Sequence, residues 1–186
     1  MAGPDEQQAL RETLKRTAGA LKRADIPFAV AGGYAAWARG GPEPDHDADL
    51  VVLPADVDDA ARALSDAGLE VVRPAEDWLV KVFADGAMVD VIFELTGRPV
   101  TREVIDRASV VDVLSVHMPV LEATDVLVTK LNALSEQSCD YGTVLPVARA
   151  LREQVDWARL ERETADNDYA VACVFLLRRI GVAPEA

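Results

Sequence analysis

The sequence predicts an α/β (α+β) protein in which a mixed sheet with flanking helices is followed by a helical C-terminal region. Three observations carry that expectation. A short apolar run ends in a Gly-Gly turn, and an alternating acidic cluster then opens a second apolar run, "AGGYAAWARGGPEPDHDADLVVL", over residues 31–53. Two further apolar runs flank Asp85-Gly86, a dipeptide suited to two-residue hairpin turns because both positions take positive φ. Beyond residue 122 apolar residues recur at helical spacing.

The elements follow in order. From Glu6 to Ala24, Leu10, Leu14, Ala18 and Leu21 fall at the three-to-four spacing of an amphipathic helix. "IPFAVAGG" reads as a short buried strand ended by glycines, and "YAAWARG" as a short helix ended by Gly40 and Gly41. Leu50–Leu53 reads as strand, Pro54–Gly68 as helix and Leu69–Val72 as strand. "WLVKVFADGAMVDVIFEL" is the hairpin. Arg98–Ala108 is expected as a helix, Leu114–Leu121 as a strand interrupted at Pro119, and Thr124–Leu134 as a helix capped by Thr124. Leu145–Gln154, Trp157–Glu163 and Tyr169–Ile180 complete the helical region. The expected division is a core over residues 1–122 and a helical region over 123–186.

Composition narrows the functional classes. Half of the 186 residues are hydrophobic and about a quarter charged, as in a globular protein with a packed core. The net charge of −13 argues against a broad, passive grip on a nucleic-acid backbone, which needs many Lys and Arg contacts. Any such contact must be local, with Arg98, Arg102, Arg149 and Arg152 as the candidates near the expected site. No apolar run is long enough to span a bilayer and the first residues lack a basic-then-apolar leader, so a cytoplasmic protein without membrane contact is expected. Cys139 and Cys173 show neither disulfide nor zinc spacing.

The acidic cluster poses the chemical question. Like charges on one strand face repel, and Asp is depleted from strands, so Asp45, Asp47 and Asp49 need a compensating cation. Alternate strand residues face the same way, which projects Asp47 and Asp49 together. Paired carboxylates of this kind suit Mg²⁺ or Mn²⁺ held jointly with nucleotide phosphates. Asp90 interrupts the apolar "MVDVIFEL"; it either faces the same metal from a neighbouring strand, or faces water or pairs with Lys81 or an Arg. Gly32 and Gly33 permit close backbone approach to a phosphate. Lys130, among Leu127, Val128, Leu131 and Leu134, either meets an anion or reaches solvent along its apolar stem. His46 points to the opposite strand face from the carboxylates. His117 reads as structural, and Trp78 beside the hairpin as a core anchor or a base-stacking platform.

A Gly-Gly turn, a DxD strand and a later solitary strand carboxylate together resemble the nucleotidyltransferase superfamily. More narrowly, "GGYAAWARG…DHDADLVV", "VDVIFEL" and "DVLVTKLNALSEQSCDY" are similar to the AbiEii-like and MenT-like toxin branch, over roughly Pro27 to Trp157. The resemblance implies a nucleotidyltransferase-like catalytic core that transfers NMP from an NTP to an acceptor hydroxyl. It assigns Asp47, Asp49 and Asp90 to Mg²⁺ or Mn²⁺, Gly32 and Gly33 to the triphosphate, and Lys130 and Asp140 to further catalytic roles, with Lys130 meeting the nucleotide phosphates. Asp140 also fits a helix N-cap. The acceptor implied is the 3′ end of tRNA, in the toxin of a toxin–antitoxin pair with a cognate antitoxin protein as partner. A small-molecule, antibiotic-type nucleotidyltransferase and a non-catalytic nucleotide-binding module are the alternatives. Many relatives carry Arg-x-Thr before the Asp pair, where this chain has Glu43, Pro44 and Asp45.

Overall fold

The computed structural model describes residues 4–44 and 47–185. Helix α1 (Pro4–Arg23) presents Leu10, Leu14, Ala18 and Leu21 to the core, and Thr13, buried on the same side, donates its hydroxyl to the carbonyl of Ala84 at 3.1 Å. Strand β1 (Phe28–Ala31), fully buried, runs straight into α2 (Gly32–Ala38). After the acidic loop come β2 (Ala48–Val52), a 3₁₀ turn over Pro54–Asp56, α3 (Val57–Asp66) and β3 (Glu70–Val72). The hairpin is β4 (Leu79–Ala84) and β5 (Ala87–Ile92), turned by Asp85 and Gly86 at φ 50° and 80° as the dipeptide predicts.

A two-stranded ribbon, β6 (Glu94–Leu95) with β7 (Arg98–Pro99), precedes the short α4 (Arg102–Asp106). The single helix expected over Arg98–Ala108 is therefore mostly not helix. Proline biases the residue before it toward extended backbone, and Thr101 caps α4 by accepting the Val104 N–H, so the helix starts only after both. Strands β8 (Ser109–Val113) and β9 (Val116–Val120) form a second hairpin where one interrupted strand was expected. Leu114 and Ser115 turn it at φ 55° and 63°, conformations no Gly or Asn announces. β1 meets β9 only at Val30 and Val120, which leaves Pro119 outside that ladder.

The C-terminal helices are α5 (Ala123–Asn132), α6 (Tyr141–Leu151), α7 (Trp157–Thr164) and α8 (Asp168–Arg179). Thr124 does not cap α5, whose cap is Glu122; its buried hydroxyl accepts the Asp156 N–H at 3.0 Å and ties α5 to the start of α7. Among the described residues no helix is long and apolar enough to cross a membrane.

Seven strands form one mixed sheet in the order β3-β4-β5-β2-β1-β9-β8. β2 pairs antiparallel with β1 and parallel with β5, so the strand that follows the acidic cluster sits at the centre of the sheet. α1 lies over β4 and β5 with α3 beside it, and α2 packs on β1, β2 and α5. Burial of Leu50, Val51 and Val52 holds β2 rigidly in that central place.

Candidate functional site

Register brings the candidate residues together. Asp49 on β2 is the partner of Asp90 on β5, Asp90 is the partner of Lys81 on β4, and on the other side Asp49 opposes Ala31 on β1. Residues paired in this way share a sheet face, with adjacent strands about 4.8 Å apart. Lys81, Asp90, Asp49 and Ala31 thus form a row across four strands.

At the end of that row the chain turns at Gly32, which has φ +54°. A Cβ there would lie 1.8 Å from Oδ2 of Asp49, so the absent side chain is the space the carboxylate occupies. At Gly33 the corresponding space is bounded by Pro44, 2.8 Å from where a Cβ would be. The two glycines therefore have different local duties: Gly32 admits the Asp49 carboxylate, and Gly33 admits the acidic loop. The backbone amides opening α2 receive no side-chain cap from Ala31. Glu43 pairs with Arg11 of α1 and so pins the loop. Asp45 and His46 lie outside the described residues.

Electrostatics single out Asp49. Its pKa is raised from 3.8 to about 7, first by burial, then by the negative charges of Asp90 and Asp47, while Lys130 and Lys81 oppose the rise. Four charged groups thus converge on Asp49. Asp47 is exposed at the entrance, and Asp90 is bound by Lys81, whose Nζ donates to Oδ1 at 3.2 Å. The ion pair is the second of the two roles that the sequence leaves open for Asp90. Lys130 reaches the cluster electrostatically from the last turn of α5.

Asp140 does not join the cluster through any contact among the described residues. It caps α6, accepting the Gly142 N–H at 2.8 Å, and its carbonyl accepts the Thr143 hydroxyl at 2.9 Å. His117 is an exposed residue of the β8–β9 hairpin, 3.7 Å from Asp112.

A charge network that the sequence reading missed anchors α5. Asp125, 5 % exposed, receives both Nε and Nη2 of Arg107 at 3.1 and 2.8 Å, and Nη2 of Arg159 at 3.1 Å. Arg159 also meets Glu122 at 2.5 Å, and Arg39 donates to the carbonyls of Leu121 and Val120 at 2.5 and 2.9 Å. Burial lowers the Arg39 pKa from its ordinary value against the pull of Glu122 and Asp125. These bonds clamp the start of α5 to α2, α4 and α7, and with it the bearing of Lys130. The signal in the sequence was slight: Asp125 sits between apolar residues much as Asp90 does.

The donor set is oxygen-only and carries excess negative charge, which fits a hard divalent cation at Asp47 and Asp49. Asp90 is engaged by Lys81, which offsets part of its charge. Among the described residues no three His, Cys, Asp or Glu side chains are gathered into a ready-made metal cage. A cavity of about 290 Å³ opens between Trp78, Ile92, Glu94, Leu95 and Thr129; it starts at Ile92, two residues along β5 from Asp90, and none of the charged residues of the row lines it.

Comparison with solved structures gives the class of fold. The antibiotic-resistance factor ANT(2'')-Ia matches with a TM-score of 0.64 at 12% identity, over 95% of this chain and 99% of that one. An antigenic nucleotidyltransferase-like protein from Paracoccidioides brasiliensis matches at TM-score 0.60 and 14% identity, covering 94% and 89% of the two chains. The lincosamide antibiotic adenylyltransferase LnuA, lincomycin-bound, matches at 0.52 and 12%, covering 73% and 94%. The chain has the nucleotidyltransferase fold. No known protein family and no curated protein matches its sequence.

Proposed function

We propose that this protein is a nucleotidyltransferase that moves NMP from an NTP to the hydroxyl of a small acceptor molecule, releasing pyrophosphate. The observation that carries the reading is the Lys81–Asp90–Asp49 row facing Gly32, with Asp49 held at a pKa of about 7 by burial and two neighbouring carboxylates. A fold has little use for such repulsion unless a cation relieves it.

Asp47 and Asp49 are the residues that would hold Mg²⁺ or Mn²⁺, which when bound would neutralise phosphate charge. Lys130 supplies a fixed positive charge to the phosphates, and the open amides beside Gly32 and Gly33 face the same anion. The acceptor oxygen attacks the α-phosphorus, the bond to the β-phosphate oxygen breaks, and pyrophosphate departs with the electron pair. Asp90 takes the hydroxyl proton, and Lys81 steadies Asp90 for that task. Asp140 serves α6 as its cap.

The choice of a small acceptor rests on the cavity and on the fate of the arginines. The space that begins at Ile92, two residues along β5 from Asp90, is of small-molecule scale, with an apolar wall at Trp78 and a carboxylate at Glu94. Of the four arginines expected to grip RNA, Arg102 is paired with Asp106 and Arg152 with Glu153. ANT(2'')-Ia and LnuA, one an antibiotic-resistance factor and the other a lincosamide adenylyltransferase, lend the same support.

The tRNA 3′ end, with a toxin role and an antitoxin partner, is the second reading. It is favoured by the motif resemblance and by Arg98 and Arg149, both exposed and without an ion-pair partner among the described residues. Incubation with each labelled NTP, Mg²⁺, and either total RNA or a panel of hydroxylated small molecules separates the two. Label on a small compound, lost in Asp49→Asn, is the expected result. Label in a tRNA-sized band would favour the second reading, and no transfer to either would overturn the proposal.

A further inference from the structure

Helix α8 has one face in the core and one in water, and the outer face is not what a solvated helix normally shows. Ala170, Cys173, Val174 and Leu177 are buried, whereas Phe175 is 63% exposed and Val171 48%. One exposed aromatic residue would be ordinary, but Phe175 lies one helical turn from Val171, and the two together leave an apolar patch on the outer face.

The outer residues have an order of their own. Asp168, Ala172, Phe175 and Arg179 are all exposed, and at 100° per residue they fall within an arc of about 60°. Their spacing along the helix is four, three, four. That spacing reads the same in both directions, so a second α8 laid antiparallel on the first places Asp168 against Arg179, Ala172 against Phe175, and the same two pairs again across the twofold axis. Each aromatic knob meets a methyl-sized hollow, and each carboxylate meets a guanidinium. Among the described residues neither Asp168 nor Arg179 has an ion-pair partner within its own chain, while the adjacent Arg178 is occupied by Glu161. Antiparallel packing also sets the two helix dipoles head to tail, which is their favourable arrangement.

From this we infer that α8 is an isologous dimer interface and that its partner is a second copy of this chain. A twofold contact requires a self-complementary surface, and the Asp-Ala-Phe-Arg seam is one. The association is weak. A helix of 12 residues is only about 18 Å long, which provides much less than the ~800 Å² per partner of a standard interface. The net charge of −13 on each copy opposes it further until salt screens the repulsion, with a Debye length of about 8 Å at physiological ionic strength. The dimer is therefore concentration-dependent and centred on Phe175.

Sedimentation velocity on the full chain at physiological salt tests the inference. The wild type should shift from monomer to dimer as concentration rises, and Phe175→Asp should stay monomeric. Asp168→Arg and Arg179→Asp should each be monomeric alone, because each puts like charges opposite one another at both ends of the seam. Mixed together they should dimerise, since the mixed pair has opposite charges at both ends. A general loss of folding would not produce that rescue, and circular dichroism checks each variant. A wild type that remains monomeric at about 1 mM, where even a millimolar complex is populated, would overturn the inference. So would a mixture that behaves as its separate components do, or a seam that is covered only when a different protein is present.

Discussion

Replacing Asp49 with Asn should stabilise the metal-free protein, and by an amount that depends on pH. The folded-state pKa of Asp49 is about 7 against an ordinary 3.8, so the carboxyl favours the folded state only while it is protonated. That contribution is complete below about pH 4 and is lost as pH rises through 7. Asparagine has the shape of the protonated acid and does not ionise. The two proteins should therefore be of similar stability near pH 4, and the gap should open by about 1.4 kcal/mol per pH unit before levelling off above pH 7. A shift from 3.8 to about 7 sets its ceiling on the order of 4 kcal/mol. At the usual sensitivity of a chain this size, that is an increase in Tm of roughly 8–16 °C for Asp49→Asn at alkaline pH. Thermal melts in chelator across the pH range provide the assay. Added Mg²⁺ should raise the wild type toward the variant and leave Asp49→Asn unmoved, since the cation relieves the same repulsion. Parallel stability profiles with a constant gap would refute the reasoning, because they would show that Asp49 is neither crowded nor buried enough to titrate abnormally.

Other expectations are independent of that one. Lys130→Ala should cost roughly 10²-fold in turnover, the scale of one positioned charge at a phosphoryl-transfer site, with nucleotide titration as the check. Lys81→Met removes the partner of Asp90, so the metal-free protein should melt lower, while calorimetry should show Mn²⁺ binding about 10-fold more tightly as Asp90 becomes free to ligate, about 1.4 kcal/mol. Gly32→Ala should abolish transfer, since its methyl would take the place of the Asp49 carboxylate, and should lower stability by about 1 kcal/mol or more for strain at positive φ. At Asp140 the conservative change is the informative one. Asp140→Asn keeps the cap and should preserve both stability and turnover, whereas Asp140→Ala should lose about 1 kcal/mol of stability. Loss of turnover in the Asn variant would restore a direct role to Asp140.

The sequence by itself determined the mixed α/β class, because strand alternation, the Asp85-Gly86 turn and helical spacing are local signals that packing had only to accept. It also placed the Asp47-Ala48-Asp49 pattern at the mouth of a strand and marked Asp90 and Lys130 as charges among apolar neighbours. Local signals failed where the deciding residue was not a turn former: Leu114 and Ser115 fold back a hairpin that reads as one strand, and Thr124 spends its hydroxyl on Asp156, a residue 32 positions away. Only the tertiary structure decided how the charges combine. Sheet order sets β4, β5 and β2 side by side, and register then makes Lys81 the counterion of Asp90 and Asp90 the neighbour of Asp49. The same is true of Gly32, which looks like any turn glycine until the Asp49 carboxylate is found in the space its side chain would fill. Strand pairing joins residues far apart in the chain, and a one-residue change of register would turn each of these side chains to the other face of the sheet. For that reason a list of acidic residues becomes a site only when the sheet is closed around it.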